Sequence, residues 1–272
     1  MLNAARTIED QLDALAHQQF AGEFEVIVAD NGSTDGTRAV VEVWRDRIPG
    51  LRLVDASERL GSATARNVGV RAAKGTALAF CDADDVVTAG WLTALVDALE
   101  TAPLVAGWHD VQDPAGGRVF VAAGRRQPFR GFLPFADTCS MAVDRAALES
   151  VGGFSETMMW SSDVDASWRL QLAGYQMAEA PAALVHKRTP RTRRERVRQA
   201  YRWGRAEPAL YARYRAAGMP RPRVASTLRD FALIVATTPL VWHPRAREVW
   251  GSVAPLHAGR IAGCRQSRCW YP

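Results

Sequence analysis

The run Ala77-Leu-Ala-Phe-Cys-Asp-Ala-Asp-Asp-Val-Val87 constrains this chain more than any other stretch, because a short apolar segment stops abruptly at three carboxylates, Asp82, Asp84 and Asp85. An apolar run of this length suits a strand covered on both faces, as in a parallel sheet flanked by helices. In open α/β sheets, ligands sit in the crevice beyond the carboxyl ends of the strands. Carboxylates this close repel one another, and a hard divalent cation with oxygen ligands relieves the repulsion. Asp82 and Asp84 therefore read as the metal-binding end of a candidate site. The alternative is a solvated acidic turn that caps a helix beginning near Thr88.

The segments before and after this strand alternate. Ile8, Leu12 and Leu15 fall on one face of a first helix, with Thr7 or a neighbour at its cap. Glu25–Ala29 reads as a strand, Asp30-Asn-Gly-Ser-Thr-Asp-Gly-Thr37 as a dense turn, and Val40, Val41 and Trp44 recur at helical spacing. Leu51–Val54 is a further strand, Gly61 opens a helix that Gly75 closes at a C-cap position, and Trp91, Leu92, Leu95 and Leu99 line one side of the next. This order predicts an α/β fold with a mostly parallel sheet and right-handed crossovers.

Charge is distributed unevenly. From Lys187 to Arg229 there are fourteen basic residues against two acidic ones, Glu195 and Glu207, so this segment carries +12 while the remainder of a chain of net +5 carries −7. A basic segment interleaved with Tyr201, Trp203, Tyr211 and Tyr214 suits an anionic membrane surface or anionic acceptor, or forms a solvated face. No nucleic-acid motif accompanies it, and no nucleic-acid partner is expected. The four cysteines have no CxxC spacing, which indicates neither a disulfide scaffold nor a zinc site and makes a reducing compartment the default. The first residues hold no apolar core of signal-peptide length.

Two strand ends present polar loops to one sheet edge: Asp30, Asn31, Ser33 and Asp35 after the first, Asp82 and Asp84 after the third. Such groups suit a nucleobase edge or ribose hydroxyls, or else an Asx-turn with its N-cap. Together with Ala65-Arg-Asn-Val-Gly69, with Val151-Gly-Gly-Phe-Ser-Glu156 and Trp160-Ser-Ser-Asp-Val-Asp-Ala-Ser-Trp-Arg-Leu170, and with Ala183-Leu-Val-His186, these motifs resemble the family 2 glycosyltransferases of GT-A fold over residues 3 to 190.

The resemblance implies metal-dependent, inverting transfer of a sugar from a nucleotide-diphosphate donor to a hydroxyl acceptor, a glycan or glycolipid of the cell envelope. It implies Mn2+ or Mg2+ as cofactor, held by Asp84 with His186 nearby. Asp30, Asn31, Ser33, Arg66 and Asp82 would bind the donor, Asp163 would be the catalytic base, and Trp160 and Asp165 would meet the acceptor. The reading of Asp163 and Asp165 from the residues alone is a helix N-terminus, where acids complement the dipole. Two departures stand out: Ser162 where many relatives carry Glu, and a start at Leu2-Asn3-Ala4-Ala5, the point where the relatives' first strand ends. The expectation is therefore a sheet without that strand, and an inactive membrane-associated scaffold of the same fold is the alternative. A phosphohydrolase with Asp82 and Asp84 as nucleophile and acid is disfavoured, because such enzymes carry the acidic pair after their first strand.

Residues 1–190 are read as the catalytic domain and 191–272 as a basic helical extension. Within the latter, Arg191 to Ala217 is a basic helix interrupted at Gly204 or Pro208. The apolar run from Leu228 to Trp242, which includes Arg229 and Asp230, is short for a membrane span, which needs about twenty residues, and fits a helical hairpin or an interfacial segment. Gly263 to Pro272 is expected to be loose. The location implied is cytoplasmic, peripheral on the inner face of the cytoplasmic membrane.

Overall fold

A computed structural model describes residues 1–112, 118–122, 131–158, 160–188, 192–240 and 242–272. The chain divides into two compact units, Met1–Arg126 with Leu133–Thr189, and Gln127–Phe132 with Pro190–Pro272.

The first unit follows the expected order as far as its fourth helix: α1 (Ile8–Ala16), β1 (Ile27–Asp30), α2 (Thr37–Val43), β2 (Arg52–Asp55), α3 (Ser62–Ala72), β3 (Ala77–Phe80), β4 (Val86–Val87) and α4 (Trp91–Leu99). Thr7 stands at the N-cap of α1 without a side-chain capping bond, and α3 ends at Ala73 in extended backbone rather than at Gly75. β5 (Leu104–Gln112), β6 (Arg118–Ala122), β7 (Met141–Asp144), α5 (Arg145–Ser150), α6 (Ser162–Leu172) and β8 (Met177–Lys187) follow.

The sheet departs from the mostly parallel arrangement. β1 and β2 form a parallel pair of their own, and a second sheet runs β3-β7-β5-β8-β4 with β6 on β5. Among the described residues of that sheet β5 and β8 run parallel, while β3–β7, β5–β7, β5–β6 and β4–β8 are antiparallel. The class remains α/β, a mixed sheet between helices. Among the described residues no ladder joins β1 to β3. On the other side of β1 from β2, the Met1 ammonium donates to the Ala29 carbonyl at 2.6 Å and the Asn31 N–H to the Met1 carbonyl at 2.9 Å.

This topology corrects the reading of the acidic strand. Among the described residues β3 is paired on one side only, and of its four residues Leu78 alone is buried. The strands covered on both faces include β5 and β7, which the apolar pattern did not single out. Opposite β7, Leu104 and Ala106 of β5 join Met141 and Val143 in one core with Phe154, Ala166 and Leu170, while Val105 and Ala142 turn to the other core with Leu12, Trp91 and Leu95. The alternation of a strand thus feeds both layers of helices. β5 shifts register against β8 between Gly107 and Trp108. A side chain at Gly107 would lie 2.0 Å from the Ser140 Oγ and 2.7 Å from the Ala183 carbonyl, so only glycine lets these strands meet there.

The second unit contains α7 (Arg193–Tyr214), α8 (Val224–Thr237) and α9 (Pro244–Ser267). α7 opens on a capping box in which the Thr192 hydroxyl accepts from the Glu195 N–H and the Glu195 carboxylate from the Thr192 N–H. It runs unbroken through Gly204 and Pro208, against the expectation of an interruption. The reason is its crossing with α9: Cβ atoms at Gly204 and Gly259 would fall 1.9 Å and 2.1 Å from the carbonyl oxygens of Leu256 and Tyr201. Backbones this close are held by a buried Arg260–Glu207 ion pair, Nε to Oε2 2.6 Å. The end of the chain is not loose either. Tyr271 is buried, with its ring 5.4 Å from that of Tyr211.

Candidate functional site

The loop after β1 is organised by its own polar side chains. Asp30 is fully buried; its Oδ1 accepts the Ser33 N–H at 3.1 Å, and its Oδ2 lies 3.5 Å from the Arg38 guanidinium. Asn31 gives its amide to the backbone, donating to the carbonyls of Ala56 and Arg59 and accepting the Gly61 N–H at 2.7 Å. It staples the β1 loop to the start of α3, its side-chain amide bound to backbone on both sides. The Ser33 Oγ accepts the Asn3 N–H at 3.0 Å. Asp35 accepts from the Thr37 hydroxyl and N–H, and these bonds hold its carboxyl below the usual range.

Beyond β3, Asp82, Asp84 and Asp85 each turn a carboxylate oxygen to within 4.8 Å of the others. Burial pushes Asp85 up to about 7, with Asp82 adding to it, and burial likewise raises Asp82, although Arg66 and Lys187 oppose the rise. The Asp85 Oδ1 accepts the Arg188 N–H at 2.8 Å, while its buried Oδ2 has no hydrogen-bond partner. Three hard oxygen donors, two of them short of positive charge and one with an unmatched oxygen, fit a divalent cation.

Arg66, on α3, joins this acidic end to α6. Its Nη2 is 3.7 Å from the Asp82 Oδ1, its Nη1 donates to the Ser162 Oγ at 3.2 Å, and its guanidinium lies over the Phe154 ring at 5.7 Å. Ser162, the departure noted above, is thus the residue through which α6 meets Arg66. Asp163 follows it in the first turn, half-buried. Burial raises its carboxyl to about 6, Asp137 adds to the rise, and Arg66 opposes it. Asn67 sets the approach to this helix, accepting the Phe154 N–H at 2.9 Å and donating to the Phe154 carbonyl at 2.8 Å and to Glu156 at 3.1 Å.

Two expected site residues are paired outside the group of three carboxylates. Asp165 is fully buried and bound to Arg169, Nε to Oδ2 2.8 Å, whose other nitrogens hold the carbonyls of Val151 and Gly153. It clamps the Val151–Gly153 turn and is not open to an acceptor. His186 pairs with the buried Asp110, Nδ1 to Oδ2 2.8 Å, and is not in the group of three carboxylates. Strand alternation explains this, because neighbours on β8 point to opposite faces. The next residue, Lys187, takes the face toward the acids. Its Nζ is 3.1 Å from the Asp137 Oδ2, and although burial works against its charge, Asp137, Asp82 and Asp85 hold it protonated above the usual lysine range. Neither Lys187 nor Asp137 was singled out from sequence, and only the place of Lys187 beside the late histidine hinted at it. His109 and Cys139 stand beside Asp137, with Cys139 Sγ 3.9 Å from the His109 Nδ1. Trp160 is half-buried in the turn before α6.

Comparison with known proteins supplies the wider frame. The chain is 30% identical over 189 residues to a glycosyltransferase of Haloferax volcanii, AglE, covering 65% of this chain and 61% of that one. It is 31% identical over 201 residues to a pre-mycofactocin glycosyltransferase of Mycobacterium tuberculosis, covering 67% of this chain and 42% of that one. The succinoglycan biosynthesis protein ExoM of Rhizobium meliloti is 28% identical over 257 residues, 88% of this chain and 82% of ExoM. Among solved structures, the mannosyltransferase PcManGT of Pyrobaculum calidifontis, in complex with GDP-Man and Mn2+, superposes with a TM-score of 0.66 at 22% identity over 98% of this chain and 85% of that one. TarS of S. aureus in complex with UDP superposes with a TM-score of 0.55 at 17% identity, covering 100% and 91%. These neighbours share the GT-A fold. The profile of a second family, described as Glycosyl transferase family group 2, matches residues 78–257. That described as Glycosyl transferase family 2 matches residues 1–149, more than half of the sequence, and the chain belongs to this family.

Proposed function

We propose that this chain transfers a sugar from a nucleotide-diphosphate donor to a hydroxyl acceptor, with dependence on a divalent cation and inversion at the anomeric carbon. The observation that carries the reading is the Arg66 bridge, which ties the acidic end of β3 through Asp82 to the start of α6 through Ser162, one residue before Asp163. The GDP-Man and Mn2+ of the Pyrobaculum structure and the UDP of TarS support the donor class.

In this reading Asp30 and Ser33 meet the nucleoside and Asp82 the ribose or sugar hydroxyls. Asp84, with Asp82 and Asp85, would hold the cation, which when bound supplies Lewis-acid stabilisation of the departing diphosphate. Arg66 and Lys187 bring fixed positive charge to the same end of the site, where negative charge grows as the bond breaks. Asp163 takes the proton of the acceptor hydroxyl as its oxygen bonds to the anomeric carbon, while the bond to the phosphate oxygen breaks and its electron pair leaves with the nucleoside diphosphate. A carboxyl raised to about 6 is still ionised at neutral pH and basic enough to accept that proton. Trp160, at the mouth of α6, offers a ring face for an acceptor sugar.

The acceptor is a cell-envelope glycan or glycolipid, a class the succinoglycan biosynthesis relative supports. Residues 1–190 form the catalytic domain and 191–272 the extension, which holds the chain on the inner face of the cytoplasmic membrane. Among the described residues no helix is long and apolar enough to cross a membrane.

Titration calorimetry with UDP, GDP and dTDP, with and without Mn2+, tests the donor site. Binding of one nucleotide that requires Mn2+ and is lost in Asp84→Ala is the expected result. Binding indifferent both to the cation and to Asp84→Ala would overturn the assignment.

A further inference from the structure

The outer face of α8 presents an apolar stripe. Val224, Leu228, Phe231 and Val235 follow one another at i, i+4, i+7 and i+11, a single helical face, and are 44%, 63%, 41% and 70% exposed. Leu240 and Trp242 continue it at 50% and 66%. The flank about 90° round the helix is already used within this unit: Thr227 and Ile234 are buried, Asp230 accepts from the His257 ring of α9 at 3.2 Å, and the Phe231 ring, at the edge of the stripe, lies 5.0 Å from that of His257. α8 is therefore anchored along one flank and leaves the neighbouring apolar stripe exposed, a patch that soluble surfaces rarely carry without a partner.

The charge around the stripe identifies the partner. Between residues 221 and 247 the sequence holds five arginines and one acid, Asp230, which is turned toward α9. Arg221, Arg223, Arg229 and Arg247 are exposed. Two copies meeting through this stripe would bring these cations against one another, which is unfavourable. A bilayer with anionic headgroups offers acyl chains to the stripe and phosphates to the arginines, the combination an interfacial helix uses. Trp242, beside the apolar end, is of the type enriched at the level of the headgroups. With 14 residues α8 is too short to span a bilayer.

We propose that α8 docks on an anionic membrane through Val224, Leu228, Phe231, Val235, Leu240 and Trp242, with the flanking arginines on the headgroups. The inference deepens the membrane placement proposed above and rests on it, but it is independent of the donor chemistry.

The test is co-sedimentation of the full chain with vesicles of equal parts phosphatidylglycerol and phosphatidylcholine, and with phosphatidylcholine alone. The wild type should bind the anionic vesicles, release them at high salt, and bind phosphatidylcholine weakly. Leu228→Glu with Val235→Glu, both at exposed positions, should lower partitioning by about a hundredfold or more while leaving nucleotide binding and the thermal midpoint in place. Undiminished binding by the double variant would overturn the assignment of the face and spare the placement. No binding by the wild type would overturn both. A dimer in sedimentation velocity, dispersed by the same substitutions in a protein that ignores vesicles, would assign the stripe to a second copy instead.

Discussion

Asp163 is where the proposed chemistry is most exposed to refutation. Asparagine keeps its size and can accept the Val164 N–H that Asp163 now accepts at 2.9 Å, but an amide cannot take a proton from an acceptor hydroxyl. Turnover of Asp163→Asn should fall on the order of 10²- to 10⁴-fold with donor affinity unchanged. The pH dependence is more specific. Since burial, Asp137 and Asp82 raise the carboxyl to about 6 against the pull of Arg66, kcat/KM for the wild type should be level at neutral pH. Below about 6 it should fall about tenfold per unit as the base becomes protonated. Asp137→Asn removes the neighbouring negative charge that contributes most to the rise after burial. It also releases the Lys187 ammonium, 3.1 Å from the Asp137 Oδ2, from its partner. Both changes favour the ionised form of Asp163, so the acid limb should move to lower pH in that variant. Initial rates across pH with a fixed donor and acceptor, alongside calorimetric donor binding, make the measurement. An active Asp163→Asn, or an acid limb unmoved in an Asp137→Asn protein that still binds donor, would refute the assignment.

Three further outcomes follow from packing and hydrogen bonds. Gly204→Ala gains about 1 kcal/mol of helix propensity, but its methyl would sit 1.9 Å from the Leu256 carbonyl oxygen and force α7 from α9. The net effect should be a loss of about 1–3 kcal/mol in chemical denaturation, and an unchanged or raised midpoint would contradict the close crossing. Ser140→Ala strands the buried Trp91 indole N–H, now 3.0 Å from the Ser140 Oγ, and should cost about 1–3 kcal/mol, read from the same denaturation curves. Asn67→Ala removes three bonds to Phe154 and Glu156 and should cost a comparable about 1–3 kcal/mol, with a rise in acceptor KM as the approach to α6 loosens; unaltered stability and kinetics would show that the loop is held by other means.

What could be read from the sequence was local, and what could not depended on partners far along the chain. Ile8, Leu12 and Leu15 announce α1 because a helical face is written into residue spacing. β3 could be recognised as a strand, but whether it is central or at an edge depends on which strands lie beside it, and its one partner, β7, begins about sixty residues later. Lys187 escaped notice for the same reason: its function comes from Asp137, fifty residues earlier. The two acids of α6 show the boundary most closely. Asp163 and Asp165 both stand in the first turn, where the helix dipole alone would account for either. Two residues are about 200° apart around a helix, so they cannot share a face. Arg169 stands four residues after Asp165, and Ser167 four after Asp163. An i, i+4 acid–arginine pair is a readable signal for a carboxylate already committed within its helix. By that criterion Asp165, expected to meet the acceptor, is the acid committed within its own helix, where it pairs with Arg169, Nε to Oδ2 2.8 Å.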